Sequence, residues 1–363
     1  MSKVLFLVNH DVVIYNFRLE IVEKLLADGH QVIISSPYGE RIDSLVALGC
    51  EYHPIEMSRH GMNPVQELKL LSDYIKLLAK VKPDIVLTFT IKPNIYGGMA
   101  CALKGIPYVV NITGLGTAVE NAGLVQKITV LLYRLALCKV QRVFFQNTEN
   151  QQFFIDRKLA IGKHDLLPGS GVNLSRFSPL EYPNEETNEF VFISRIMKEK
   201  GADQYLEAAE YIRSKYPNTR FHICGFCEQA YEERLKDLQD KGIIIYHGMV
   251  RDVREVIAKT HCTIHPTYYP EGLSNVLLES AACARPLITT NRSGCREVID
   301  DGINGFVVEQ KNTQDLIAKI EKFLALPWEQ KKAMGLAGRA KVEKEFDRQI
   351  VVGKYIVEVE NHQ

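Results

Sequence analysis

Short apolar runs alternate with amphipathic helical segments along almost the whole chain. The apolar runs are nearly continuous, unlike the apolar–polar alternation of a half-exposed strand. Such strands are buried on both faces, as in a parallel sheet with helices on each side. In 363 residues this pattern predicts more than one sheet, because a single core seldom exceeds about 250–300 residues. The predicted strands are 4–8, 31–35, 84–88, 108–112, 142–146, 189–194, 220–224, 243–246, 262–266, 286–289 and 305–308.

A polar, proline-containing segment, 178–188, interrupts the alternation and is the best candidate for a connection between domains. We therefore predict an α/β fold with two Rossmann-like parallel-sheet domains facing each other across a cleft. The N-terminal domain is predicted over residues 1–177 and the C-terminal domain over 178–340. Residues 341–363 are predicted to form a helix that crosses back to the N-terminal domain.

Charge and hydropathy exclude several classes of protein. Lys and Arg together number 44, as do Asp and Glu, so no bulk electrostatic attraction to nucleic acid is expected. No run reaches the roughly 20 apolar residues that cross a bilayer, and the run 4–8 is too short for a secretory signal. The chain is therefore predicted to be cytoplasmic.

The turn after the first predicted strand argues against two common nucleotide-binding classes. A dinucleotide oxidoreductase needs the pattern G-x-G-x-x-G there, whereas residues 8–14 contain no glycine. The phosphate-binding pattern G-x-x-x-x-G-K-[ST] is also absent from the sequence.

Residues 270–280, Pro-Glu-Gly-Leu-Ser-Asn-Val-Leu-Leu-Glu-Ser, are the most informative stretch. A strand ends just before them, and a helix is predicted to begin near Leu273. Ser274, Asn275 and Val276 then lie at the helix N-terminus, where free backbone N–H groups and the helix dipole favour an anion such as a diphosphate.

Two carboxylates, Glu271 and Glu279, flank this helix start. Their separation of eight residues corresponds to about two helical turns, which predicts that both side chains face the same side. Because carboxylates accept paired hydrogen bonds from hydroxyl groups, the pair suits a sugar and a ribose.

Two cations, Arg195 and Lys200, flank another predicted strand-to-helix turn in the second half. Phosphates usually bind at such turns in α/β sheets. A guanidinium and an ammonium group at this place are suited to neutralise the charge of a leaving nucleoside diphosphate.

The combination Arg195-x4-Lys200-Gly201 with Glu271-x7-Glu279 resembles the motif of family 4 retaining glycosyltransferases of GT-B fold, and segment 293–306 is similar to the same family. In the first half, segments 15–18, 91–97 and 111–116 resemble bacterial members that extend lipid-linked oligosaccharides for capsule, O-antigen or protein glycosylation. These include N-acetylgalactosaminyltransferases that act on undecaprenyl-diphosphate-linked sugars.

This resemblance implies a retaining transferase that moves a hexose or N-acetylhexosamine from a nucleotide sugar, with UDP as the nucleotide, to a lipid-linked saccharide. It implies a location at the inner face of the cytoplasmic membrane, bound peripherally. No cofactor beyond the donor substrate is expected. No metal is expected either, because the sequence lacks the Asp-x-Asp of metal-dependent GT-A transferases.

The resemblance also implies roles for individual residues. Arg195 and Lys200 would contact the donor diphosphate, Glu271 the sugar hydroxyls and Glu279 the ribose hydroxyls. The donor-binding set is Gly272, Leu273, Ser274, Asn275, Val276, Glu279 and Val250. The acceptor-side set is Asn9, His10, Tyr15, Arg18, Lys92, Asn94 and Gly114.

Several alternatives remain open at this point. The enzymatic rival is a sugar-nucleotide epimerase of the same architecture, and the non-enzymatic rival is an inactive subunit that binds nucleotide sugars. Helix 124–139 suits either the core or an anionic membrane. Segment 111–116 suits either a plain turn or an acceptor site, and His10 suits either a structural or a functional role. Many relatives have a histidine near the position of Ile91, so no catalytic histidine is assigned.

Overall fold

The computed structural model describes residues 1–58, 63–116 and 123–361. The chain forms two compact units: Met1–Gly171 together with Arg348–Gln363, and Val172–Asp347. The changeover comes before the predicted boundary at 177/178, because residues after Val172 already pack within the second unit. Val172 and Phe177, for example, are buried in the same hydrophobic cluster as Leu277 of the second unit. At its C-terminal end the chain rejoins the first unit at Arg348, whereas the predicted boundary was at residue 341.

Within the described residues, the first unit contains a seven-stranded parallel sheet in the order β3-β2-β1-β4-β5-β6-β7. Its strands are β1 (Lys3–Leu7), β2 (Gln31–Ser36), β3 (Glu51–Pro54), β4 (Ile85–Phe89), β5 (Tyr108–Ile112), β6 (Arg142–Phe145) and β7 (His164–Leu166). Its helices are α1 (Asp11–Phe17), α2 (Leu19–Ala27), α3 (Arg41–Ala47), α4 (Pro64–Val81), α5 (Gly98–Lys104, after a π-helical turn at Pro93–Gly97), α6 (Leu124–Ala136) and α7 (Thr148–Asp156), and the chain's last helix also belongs to it.

The second unit contains a six-stranded parallel sheet in the order β10-β9-β8-β11-β12-β13, counted over the residues that the structure describes. Its strands are β8 (Asn188–Ile193), β9 (Thr219–Cys224), β10 (Ile244–Tyr246), β11 (Cys262–His265), β12 (Leu287–Thr290) and β13 (Gly305–Val308). Its helices are α8 (Ala202–Lys215), α9 (Glu232–Asp240), α10 (Arg254–Ile257), α11 (Asn275–Ala282), α12 (Thr313–Leu324) and α13 (Trp328–Glu345). The final helix, α14 (Arg348–Glu360), is the one that belongs to the first unit.

The continuous apolar runs are explained by burial on both faces of each sheet. In β1, Leu5 and Leu7 join one hydrophobic cluster while Val4 and Phe6 join the cluster on the opposite face, and all four are fully buried. Successive side chains of a strand point to opposite faces, so both faces must be covered by helices. The predicted α/β class, with two Rossmann-like parallel sheets, is confirmed.

The elements that the sequence did not predict are short or polar. Strand β3 is only partly buried and β7 has three residues, so neither shows a clear apolar run. Helix α1 spans seven residues and begins where the His10 side chain accepts a hydrogen bond from the backbone N–H of Val12 (3.1 Å). Among the helices described, none is both long and apolar enough to cross a bilayer.

Candidate active site

Two loops of the second unit lie side by side at the carboxyl edge of its sheet. They follow β8 and β11, which are neighbours in the sheet although other strands separate them in sequence. Strands β9 and β10 are added on one side of β8, and strands β11, β12 and β13 are added on its other side, so the strand order reverses at β8. Parallel α/β sheets bind ligands at the point where the strand order reverses, beyond the carboxyl ends of the strands. The predicted donor residues Arg195 and Lys200 are in the first loop, and Glu271 is in the second.

Close backbone contacts hold the two loops together. The carbonyl oxygen of Glu199 accepts hydrogen bonds from the Tyr268 N–H (2.9 Å) and from the Thr267 hydroxyl (3.3 Å). Next to it, Gly201 adopts φ +79°, and a Cβ at that position would lie 2.3 Å from the carbonyl oxygen of Pro266. A side chain at residue 201 would therefore force the loops apart, which explains the glycine after Lys200.

Lys200 and Glu271 form an ion pair across the two loops. Their side chains are only 11% and 18% exposed, so the pair is largely removed from water. The ring of Tyr269 lies beside both cations: its centroid is 4.7 Å from Lys200 Nζ and 5.9 Å from Arg195 Cζ. The structure thus brings three of the four predicted charged groups together, with Arg195 as the most exposed of them.

His265 and Tyr269 are the two site residues that the motif analysis missed. The His265 side chain is 2% exposed, its Nε2 lies 4.0 Å from Glu271 Oε1, and neither of its ring nitrogens has a hydrogen-bond partner. Burial, and then the charge of Lys200, lowers the pKa of His265 to about 3. The ring is therefore neutral beside the ion pair. An available signal was their place in the sequence, because His265 is the last residue of a buried strand and Tyr269 lies in the loop between that strand and Glu271.

Helix α11 begins at Asn275, with Ser274 as its N-cap residue. The Ser274 N–H donates to the carbonyl oxygen of Gly294 (2.7 Å), and Gly272 and Leu273 are buried beneath the loop. The first N–H groups of a helix have no acceptor within it, so the N-terminus of α11 offers donors to an anion. Asn275 and Val276 form its first turn and are partly buried.

Glu279 lies one turn inside α11 and is partly buried. Glu271 precedes the helix, as predicted, and belongs to the loop. Their relative direction is therefore set by the loop and not by helical periodicity.

Val250 follows β10, further along the same sheet edge. The loop is tied to its neighbour by a hydrogen bond from the Gly225 N–H to the carbonyl oxygen of Gly248 (2.8 Å). Val250 itself is partly buried against the hydrophobic cluster beneath α11.

In the first unit, the structure argues against two of the predicted acceptor contacts. Arg18 is 1% exposed, with its guanidinium carbon 5.2 Å from the ring centroid of Phe89, and burial lowers its pKa. Asn94 is equally buried: it accepts a hydrogen bond from the Thr88 hydroxyl (2.8 Å) and donates to the carbonyl oxygen of Asn111 (2.8 Å). Side chains so enclosed offer no surface to a ligand, so both residues are structural.

The other predicted acceptor residues retain some exposure. Asn9 and His10 are partly exposed between β1 and α1, and Tyr15 packs under Arg41, whose guanidinium carbon is 4.7 Å from the ring centroid. Lys92 forms an ion pair with Glu67 (2.5 Å) at the edge of a cavity of about 410 Å³. Gly114 has φ 151° and is partly exposed after β5.

The described part of the chain contains no group of three or more His, Cys, Asp or Glu side chains arranged to hold a metal ion. The candidate site instead contains a cation, Lys200, in direct contact with a carboxylate, Glu271.

Two family models match the chain. "Glycosyl transferases group 1" matches residues 178–341, and "Glycosyl transferase 4-like" matches residues 3–147.

Curated relatives cover much of the chain at low identity. N,N'-diacetylbacillosaminyl-diphospho-undecaprenol alpha-1,3-N-acetylgalactosaminyltransferase of Campylobacter jejuni is 26% identical over 361 residues, which covers 94% of each chain. UDP-Gal:alpha-D-GlcNAc-diphosphoundecaprenol alpha-1,3-galactosyltransferase of Escherichia coli is 26% identical over 273 residues, covering 70% of this chain and 69% of that one.

Solved structures share the fold over the whole length. A glycosyltransferase from Rickettsia africae superposes with a TM-score of 0.81 at 20% identity, covering 99% of this chain and 98% of that one. Anabaena HepE in complex with UDP superposes with a TM-score of 0.80 at 15% identity, covering 99% of this chain and 100% of that one.

Proposed function

The chain is a glycosyltransferase of the GT-B fold, with its two halves matching the 4-like and group 1 families, and from this premise we propose that it is a retaining, metal-independent hexosyl or N-acetylhexosaminyl transferase. The donor is a nucleotide sugar with UDP as the nucleotide. The acceptor is a lipid-linked saccharide in the synthesis of a bacterial surface polysaccharide or glycoconjugate.

The Lys200–Glu271 ion pair beside Arg195 is the observation that carries the proposal. A donor bound at this sheet edge places its diphosphate near both cations and near the N-terminus of α11. Its sugar hydroxyls donate to Glu271, and its ribose hydroxyls donate to Glu279. The nucleotide base lies toward Val250. UDP, present in the structure of HepE, fits this division of roles.

The transfer step replaces one bond at the anomeric carbon with another on the same face. The bond from that carbon to the diphosphate oxygen breaks, and a bond to the acceptor hydroxyl oxygen forms. The acceptor proton passes to the departing phosphate oxygen, so no protein base is needed. Arg195 and Lys200 stabilise the negative charge that develops on the nucleoside diphosphate, and the enzyme contributes positioning and electrostatics.

We assign the acceptor to the first unit and the reaction to the inner face of the cytoplasmic membrane. The Campylobacter and Escherichia relatives support this assignment, because their names specify diphospho-undecaprenol-linked saccharides. Among the predicted acceptor residues, the partly exposed Asn9, His10, Tyr15 and Lys92 remain candidates, together with Gly114. The donor is the only small molecule required, with neither cofactor nor metal.

Incubation of the purified protein with UDP-sugars, with and without a lipid-linked saccharide, tests the proposal. A transferase forms an extended acceptor and releases UDP only when both substrates are present. Conversion of the donor sugar without acceptor would instead identify an epimerase, and binding without turnover would identify an inactive subunit. Product analysis by NMR must show the anomeric configuration of the donor, and full activity must persist in EDTA.

A further inference from the structure

Helix α6 (Leu124–Ala136) presents an apolar face to solvent. Thr129, Tyr133 and Ala136 form its buried face, and the Tyr133 ring packs on that of Phe154 with centroids 5.2 Å apart. Val130 and Leu132 are partly buried and pack against the hydrophobic core, whereas the remaining large apolar side chains point the other way. Those that are exposed on this helix are Leu124, Val125, Ile128, Leu131 and Leu135.

These exposed side chains form one continuous stripe. Leu124, Ile128, Leu131 and Leu135 are spaced by four, three and four residues, which places them on a single helical face. A surface helix of a globular protein normally turns such a face toward the core. Contiguous exposed apolar surface of this kind marks a site of interaction.

Cations border the stripe. Helix α6 contains Lys127 and Arg134, both exposed, and no carboxylate. Lys139 follows it and donates to the carbonyl oxygen of Ala102 (3.0 Å), next to the exposed Leu103 of α5. Arg134 donates to the carbonyl oxygen of Arg157 (3.3 Å), which places the start of the α7–β7 connection at the same border.

From these observations we infer that the α6 stripe is the surface by which the enzyme docks on an anionic lipid bilayer. Apolar side chains flanked by Lys and Arg match the acyl–headgroup boundary, where the apolar stripe enters the lipid and the cations contact anionic headgroups. A second copy of this chain is a poorer occupant, because pairing two such faces brings Lys127 and Arg134 of both copies close together. The inference rests on the proposed function only for the membrane location of the acceptor.

Vesicle sedimentation of the full chain tests the docking surface. The unmodified protein should bind phosphatidylcholine–phosphatidylglycerol vesicles, and the double variant Leu131→Glu/Leu135→Glu should bind at least about 10-fold more weakly. The Lys127→Gln/Arg134→Gln variant should lose affinity for these vesicles and lose the sensitivity of binding to salt.

Leu336→Glu is the matched control. Leu336 lies on α13 in the other unit and is 51% exposed, compared with 54% for Leu131, so each Glu is introduced at a comparably exposed leucine, although the control adds one carboxylate and the double variant adds two. It should leave vesicle binding unchanged. Cys138, exposed just beyond α6, allows a direct measurement in a Cys227→Ser background. A polarity-sensitive fluorophore on Cys138 should shift to the blue when vesicles are added.

Equal binding by the Leu131→Glu/Leu135→Glu variant and the unmodified protein would overturn the inference. So would a dimer, seen by light scattering, that this double variant dissociates, because the stripe would then bind a second copy. Vesicle binding is measured without donor or acceptor. A protein that docks but transfers no sugar would refute the proposed function alone, and one that transfers sugar to a soluble acceptor but ignores vesicles would refute the docking surface alone.

Discussion

Removal of the Lys200 ammonium group is the sharpest test of the candidate site. Lys200→Met keeps the length of the aliphatic chain and leaves the Glu271 carboxylate without its cation. Breaking a fully buried pair costs about 3–5 kcal/mol, whereas a surface pair contributes about 0–1 kcal/mol. At 11% and 18% exposure the pair is near the buried limit, so we expect the free energy of unfolding to fall by about 2–3 kcal/mol.

The double variant Lys200→Met/Glu271→Gln separates stability from catalysis. Once the Glu271 charge is also removed, part of the lost stability should return, giving a coupling energy of about 1–2 kcal/mol between the two positions. Activity should not return, because the ammonium group that we propose contacts the donor diphosphate is still absent. We expect turnover to fall at least about 100-fold in both Lys200→Met and the double variant.

Urea unfolding of the four proteins in the cycle gives the coupling energy, and initial rates with a UDP-sugar and acceptor give the turnover. The control is the exposed ion pair Lys215–Glu321 of the same unit, with Nζ 2.8 Å from Oε1. Lys215→Met/Glu321→Gln should show no resolvable coupling and normal turnover. Additive losses of stability at Lys200 and Glu271, or near-normal turnover of Lys200→Met, would refute the assignment of this pair to the donor site.

Three further variants probe the same loops. Gly201→Ala should lower the free energy of unfolding, measured with urea, by about 1–3 kcal/mol. Residue 201 has positive φ, and a Cβ there would clash with the carbonyl oxygen of Pro266. Unchanged stability would contradict this close approach of the two loops. Tyr269→Leu should raise the donor KM about 3–10-fold through loss of the ring beside Arg195 and Lys200, and an effect on the acceptor KM alone would contradict this. Burial holds the pKa of His265 at about 3, below its value of about 6.5 in the unfolded chain. Between these two pH values only the unfolded chain binds the proton. The free energy of unfolding should therefore decline as the pH falls from about 6.5 toward 3, by up to about 1.4 kcal/mol per pH unit. His265→Asn should flatten that decline in acid titrations of stability, and an identical slope would show that other groups cause it.

The strand pattern shows how far local sequence reaches. Strands Tyr108–Ile112 and Gly305–Val308 have the predicted bounds. A strand that is buried between two layers of helices has a nearly continuous apolar sequence, which makes its ends visible. Strand β3 was not predicted, because this edge strand is only partly buried and has no continuous apolar sequence. Helix α11 begins later than predicted, since the chain after Pro270 remains in a loop tied down by the bond from Ser274 to Gly294.

The candidate site was predicted as residue types at strand ends, without their contacts. Arg195, Lys200 and Glu271 could be placed on the carboxyl edge because every parallel strand ends there. That β8 and β11 are neighbours, that Tyr269 lies beside both cations, and that His265 is buried next to Glu271 required the folded sheet. The same applies to Arg18, which the resemblance placed among the acceptor residues although the fold encloses it.

The amino-acid sequence alone determined the α/β class, most strand positions and the loops that contain the charged residues, because each of these depends on periodicity and turn chemistry within a few neighbouring residues. Only the tertiary structure decided which charges pair, which polar side chains are buried, and that α6 turns Leu124, Leu131 and Leu135 outward. Those outcomes depend on how segments distant in sequence pack together, and burial of a given side chain is a property of its neighbours in space.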